Sequence, residues 1–240
     1  LMDERDTNEL LLQAREEVLE RANSGKDETL SVALSIITSH THEISIPSLL
    51  AYLTSARERL QRLLIKHGDI SNFLQHAREL MGVNKEETSD TIFSNVLTSY
   101  ADETQHLLYA AKMLSAGSKT DIERSKKIQN WLVCKKKRLE LFDLYADAFL
   151  TTSRYSGPIE IRKSLVTKKV VDTNPDVKEI LETEANRVAK ILMRIRSATI
   201  IETTEALLIF SDALLTAYQN RKELRSLIDY DDLIQETGHL

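Results

Sequence analysis

Glycine and proline are scarce in this sequence, at 6 and 3 of 240 residues, where average usage would supply about 12%. That scarcity disfavours turn-rich all-β, collagen-like and flexible low-complexity architectures. Asn-Gly and Asp-Gly hairpin signals are also missing, and nothing in the pattern favours a parallel sheet. A single cysteine, Cys134, excludes an internal disulfide, and with no evident histidine partner it reads as inert filler rather than a nucleophile. No apolar run approaches the ~18 residues of a membrane span. The stretch Leu1-Met2-Asp3-Glu4-Arg5-Asp6 lacks a basic and then apolar leader, so the expected setting is cytoplasmic, without a membrane partner.

What the sequence has is apolar residues recurring at three- and four-residue spacing throughout, which predicts an all-α, multi-helix fold. Gly25, Gly68, Gly82 and Gly117 each close a periodic segment. The first carries Leu11, Ala14, Val18 and Ala22 on one face. The third opens with Pro47 and carries Leu49, Leu53, Leu60 and Leu64, and the fourth starts at Asp69 with Ile70, Phe73, Leu74 and Ala77. Ser118 and Asp121 resemble a capping box opening a helix that bears Ile122, Ile128, Trp131 and Leu132, and Leu139, Phe142, Ala146 and Phe149 mark the next. Residues 1–150 therefore read as short antiparallel helices, 151–173 as an irregular basic loop, and 174–240 as a long helix with a closing segment, all within one domain. Asn174 and Pro175 open a run of more than forty residues without glycine or proline, through Ile180, Val188, Ile191, Ile195, Ala206, Phe210, Leu214 and Ala217. This is one long helix or two in sequence, and a spine for the shorter helices rather than a dimeric coiled coil.

Charge is spread unevenly. Residues 1–118 hold 11 basic and 18 acidic groups, residues 119–169 hold 13 and 6, and residues 170–240 hold 8 and 13. The basic island comprises Lys119, Arg124, Lys126, Lys127, Lys135, Lys136, Lys137, Arg138, Arg154, Arg162, Lys163, Lys168 and Lys169. Such clustering is what contact with a phosphate backbone needs, and these residues are the candidate DNA contacts. The run Lys135-Lys136-Lys137-Arg138 is expected to face solvent at least in part. The plainer reading is a solvated helix face with a loop.

Catalytic motifs fail on inspection. Ala116-Gly117-Ser118-Lys119-Thr120 superficially resembles the end of a phosphate-binding loop, but Ser118 separates Gly117 from Lys119 and no strand precedes them. Glu103 and His106 have the spacing used in di-metal bundles, yet the only second copy, Glu236 and His239, encloses Gly238. His40, His42 and Glu43 show no further ligand pattern. Neither a catalytic residue nor a metal site is expected, and the residues alone give a helical domain with a basic surface.

The segment Leu227-Ile228-Asp229-Tyr230-Asp231-Asp232-Leu233-Ile234 resembles the Leu-Asp-Phe/Tyr-Asp-Asp-Leu signature of UvrD/Rep-type DNA helicases. In that family the signature closes domain 1B, an accessory insertion of the first motor domain, which gives Asp229, Tyr230, Asp231 and Asp232 a structural role. Leu1-Met2-Asp3-Glu4 with Glu9-Leu10-Leu11 is similar to the segment that follows the family's Thr-Ile-His-x-Phe-Cys motif. Residues 116–121, Phe149-Leu150-Thr151 and Glu184-Ala185-Asn186-Arg187 resemble the AddA-type branch, subunits of helicase-nucleases that repair double-strand breaks. The resemblance implies a piece of a larger protein whose ATP, magnesium and nuclease residues lie elsewhere, with no cofactor of its own. Its implied partners are duplex DNA, the remainder of the motor and an AddB-like subunit. Its implied role is to guide or grip duplex ahead of the motor without sequence readout. The alternative from another class is a helical interaction module that docks an acidic partner or the partner subunit.

Overall fold

A computed structural model describes residues 2, 4–41, 45–99, 104–134, 137–151 and 157–228. Among them are eleven helices and no strand: α1 Glu4–Asn23, α2 Glu28–His40, α3 Ile46–Ser55, α4 Arg57–His67, α5 Ile70–Met81, α6 Ser89–Ser99, α7 Thr104–Leu114, α8 Lys119–Val133, α9 Arg138–Ala146, α10 Lys168–Thr173 and α11 Asp176–Leu224. The protein is all-α. No described helix is long and apolar enough to cross a membrane. Gly25, Gly68 and Gly82 follow helix ends with φ of 69°, 89° and 65°, a left-handed geometry that glycine adopts without a steric penalty.

The sequence reading treats residues 1–240 as one domain, whereas the chain divides into two compact units, 1–80 with 200–240, and 81–199. Each has its own core, and α11 contributes to both. The first unit carries 12 basic and 21 acidic residues and the second 20 and 16, so the whole basic island belongs to the second.

In the first unit, Leu10, Ala14, Val18 and Ala22 recur every four residues and are buried, which gives α1 a single apolar stripe. The stripe begins at Leu10 rather than at the expected Leu11, which is only half-buried. Leu30, Ala33 and Ile37 of α2 and Ala206, Phe210, Leu214 and Ala217 of α11 complete this core. Asp27 caps α2 by accepting the Leu30 amide at 3.1 Å, and Arg21 donates to its carboxylate at 2.9 Å. These bonds hold the Asp27 carboxyl below its ordinary range. The end of α11 is held on α1, where Arg221 donates to Glu17 at 2.8 Å and Arg225 to Gln13 at 3.0 Å. The Met2 amide then donates to the Ile228 carbonyl at 2.9 Å, which brings the two extremities of the described chain together.

The second unit is organised around aromatic rings. Trp131 of α8 stacks on Tyr145 of α9 with centroids 4.1 Å apart, Tyr145 meets Phe149 edge-on, and Phe93 meets Phe142 edge-on at 4.8 Å. Pairs of this kind each add about 0.5–1.5 kcal/mol beyond the area they bury. The Tyr145 hydroxyl donates to the buried Glu184 carboxylate of α11, which Arg187 also grips through two N–H groups at 2.9 and 3.0 Å. Burial pulls Arg187 down to about 10, so it remains charged at neutral pH and balances Glu184.

Three expectations change in detail. Residues 46–67 break at Ala56 into α3 and α4. Residues 151–173 are not irregular throughout, because Lys168–Thr173 forms α10. Ile122, expected on the buried side of α8, is exposed, and the side facing the core instead runs through Asp121, Ser125, Ile128, Trp131 and Leu132. The long run after Pro175 is a single helix of 49 residues. Gly117 sits where a Cβ would come within 2.7 Å of Val170 Cγ2 and 2.5 Å of Asp121 Oδ2. Gly117→Ala is therefore expected to cost about 1–3 kcal/mol, by the usual penalty for overpacking, measurable as a lower urea midpoint.

Candidate nucleic-acid interface

The basic residues are placed by α8, α9, α10 and the segment between α9 and α10. Helix α8 begins with a true capping box: the Ser118 hydroxyl accepts the Asp121 amide, and the Asp121 carboxylate accepts the Ser118 amide at 2.9 Å. The same carboxylate also accepts the Thr167 amide at 3.1 Å and the Thr167 hydroxyl. Asp121 thus sets the starts of α8 and α10 side by side. Lys119, the first residue of α8, and Lys168 and Lys169, the first two of α10, are all exposed. Burial pushes the Asp121 carboxyl upward, but the hydrogen bonds from Thr167 and Ser118 outweigh it and hold the group below its ordinary range.

One turn further, Arg124 is spent inside the fold. Its Nε donates to the Ala148 carbonyl at 2.8 Å, one terminal nitrogen to the Leu165 carbonyl and the other to the Ser164 carbonyl at 3.3 Å. These bonds lock the segment after α9 onto α8. A two-bond pairing continues the lock: the Thr151 amide donates to the Glu160 carbonyl and the Arg162 amide to the Phe149 carbonyl, each at 2.9 Å. Arg162 turns back to Asp147, donating to its carboxylate at 2.6 Å and to its carbonyl at 2.9 Å. Lys127 takes the other oxygen of the same carboxylate. Burial acts against the Asp147 charge, yet Lys127 and Arg162 outweigh it and lower the carboxyl below its ordinary range.

The candidate contacts therefore separate by environment. Lys119, Lys126, Lys137, Lys163, Lys168 and Lys169 are exposed. Arg124, Lys127 and Arg162 are half-buried and bonded within the fold. Arg138 is buried, with its guanidinium over the Trp131 ring at 4.8 Å and donating to the Trp131 and Leu132 carbonyls at 3.4 and 3.3 Å. The expectation that the run 135–138 faces solvent at least in part is met at Lys137, which is exposed, while Arg138 is buried. Lys135, Lys136, Arg154 and the signature residues Asp229, Tyr230, Asp231 and Asp232 lie outside the described residues, as do Glu103, His42 and Glu43. Cys134 is a free, exposed thiol. Among the described residues no group of three His, Cys, Asp or Glu could hold a metal ion.

Arg124, Arg162 and Lys163 line an open groove of about 700 Å³ together with Thr151, Glu160, Ile161 and Ser164. Sequence reasoning named its cations but missed Asp147, because nothing local marks a carboxylate at the end of α9 as the partner of residues 20 before it and 15 after it. Compared with protein-family models, curated proteins and solved structures, the chain matches none.

Proposed function

We propose that this chain is an accessory domain that engages duplex DNA through the lysine-rich surface of its second unit. The observation that carries the reading is that Lys119, Lys126, Lys163, Lys168 and Lys169 stand exposed around a rigidly bonded junction of α8, α10 and the segment between α9 and α10. Cations held on ordered backbone, with their ammonium groups in water, suit phosphate contact without base readout. The proposed setting is a UvrD/Rep-type helicase-nuclease acting in double-strand-break repair. There the motor, its ATP and magnesium, and an AddB-like subunit would supply the catalysis. The Met2–Ile228 hydrogen bond supports that setting, since an inserted domain leaves and rejoins its host at one place.

A fluorescent 20-base-pair duplex provides the test. Binding is expected on the order of 10⁻⁴ to 10⁻⁶ M at physiological salt, weakening linearly in log–log form by about 0.9 for each phosphate contacted. Changing Lys119, Lys126, Lys163, Lys168 and Lys169 together to Glu should abolish it, and Arg15→Glu with Arg59→Glu in the first unit should not. Equal binding by both variants and the parent chain would refute the proposal.

A second reading, docking of a protein partner, is favoured by one observation. The solvent face of α8 carries the exposed apolar Ile122 and Val133 together with Lys119, Lys126 and Asn130. A partner held by that apolar surface would tolerate salt that disperses a duplex.

A further inference from the structure

The groove lined by Arg124, Arg162 and Lys163 has an electrostatic arrangement that the fold alone does not require. Two arginines line it, and each is anchored within the fold: Arg124 by the Ala148, Leu165 and Ser164 carbonyls, Arg162 by the carbonyl and carboxylate of Asp147. A guanidinium has five N–H donors, so both retain donors beyond those bonds. Burial disfavours the Arg124 charge and Arg162 adds to that, while the carboxylates of Asp121 and Asp147 offset part of it. Lys163, exposed on the same groove, adds a third cation. Three cations, Arg124, Arg162 and Lys163, line the groove against one lining carboxylate, Glu160, while Asp147, the partner of Arg162, is shared with Lys127. The balance favours an anion.

Asp147 bridges cations from two elements, Lys127 of α8 and Arg162 of the segment before α10. Its side chain is 46% exposed, so the bridge is open to competition from solvent. At about 700 Å³ the groove exceeds what one small oxyanion fills, and the same unit also exposes Lys126, Lys168 and Lys169. We infer that this groove seats the phosphodiester backbone of a nucleic acid, with Asp147 as the resident carboxylate that neutralises Lys127 and Arg162 until a phosphate replaces it. The inference rests on the DNA-engaging reading above and names the subsite and its counter-charge.

The chain as it stands is titrated into the fluorescent duplex at low and physiological salt, with thermal unfolding followed for every variant. Lys163→Glu should weaken binding about tenfold and leave the melting temperature unchanged, because the residue is exposed. Asp147→Asn should tighten binding about three- to tenfold and steepen the salt dependence, because two cations lose their internal partner. A salt-sensitive parent chain whose affinity neither Lys163→Glu nor Asp147→Asn alters would overturn the groove assignment and leave the broader reading standing. Absence of any duplex binding by the parent chain would overturn both. A poly-glutamate peptide that displaces the duplex at equal charge concentration would reassign the groove to acidic protein. If inorganic phosphate at that charge concentration displaces it equally well, the groove is a small-anion site and the backbone assignment fails.

Discussion

Asp121→Asn is expected to destabilise the second unit by about 2–4 kcal/mol, because it breaks a buried network rather than a single bond. The Asp121 side chain is fully buried, and its two oxygens receive hydrogen bonds from the Ser118 and Thr167 amides and from both of their hydroxyls. Asparagine keeps the shape but turns an NH₂ toward donors that have nothing to donate to. The change would loosen the start of α8 and the attachment of α10 together. Trp131 is the only tryptophan in the sequence and is buried in this unit, so its fluorescence during urea unfolding reads the effect directly. The pH dependence has a definite sign. Asp121 and Asp147 both have carboxyls held below their ordinary range in the folded chain. Their contribution is complete above the unfolded value, about 4, and is lost as pH falls through the lower folded values. The parent chain should therefore lose stability below about pH 4, and Asp121→Asn should show a shallower acid limb. Parallel curves for the two between pH 2.5 and 6 would show that Asp121 is not a source of that loss.

The local rules that worked in the sequence were those whose cause is local. Gly25, Gly68 and Gly82 occupy left-handed backbone after helices, and the Ser118–Asp121 box is formed because its partners are three residues apart. The long run without glycine or proline after Pro175 is one helix because no residue within it interrupts the backbone bonds. Polar residues on the core side misled the apolar count on α8. Ser125 is buried and donates its hydroxyl to the Ala111 carbonyl at 2.6 Å, and Asp121 beside it is satisfied from a segment 46 residues away. An apolar pattern has no way to register those two and points to Ile122 instead, which is exposed. Charge counting likewise located the basic island but not its division. Whether a cation is free or spent depends on tertiary partners: carbonyls for Arg124, Asp147 for Lys127 and Arg162, and an indole ring for Arg138. The break at Ala56, where one amide lies within reach of both the Tyr52 and Leu53 carbonyls, has neither glycine nor proline to announce it.

Arg138→Glu is expected to cost about 3–5 kcal/mol, whereas Lys137→Glu one position earlier should stay within about 0.5 kcal/mol of the parent chain. The two residues are equivalent in a charge count and opposite in environment. Lys137 is exposed, while Arg138 is 7% exposed and lies over the Trp131 ring. The Arg138 N–H groups reach the last-turn carbonyls of α8, and its own carbonyl accepts the Trp131 indole N–H at 3.0 Å, so the α8–α9 connection is tied in both directions. A glutamate there would set a buried carboxylate against those same carbonyls and the electron-rich ring face. Arg138→Lys keeps the charge but loses the planar fork, and should fall between the two. Urea midpoints followed by Trp131 fluorescence rank the three variants, and an Arg138→Glu chain as stable as Lys137→Glu would disprove the structural role. The ranking bears on how DNA binding is tested, because a charge reversal across 135–138 that includes Arg138 would abolish binding by unfolding the unit. The cations suited to that test are those whose removal leaves the core untouched: Lys119, Lys126, Lys163, Lys168 and Lys169.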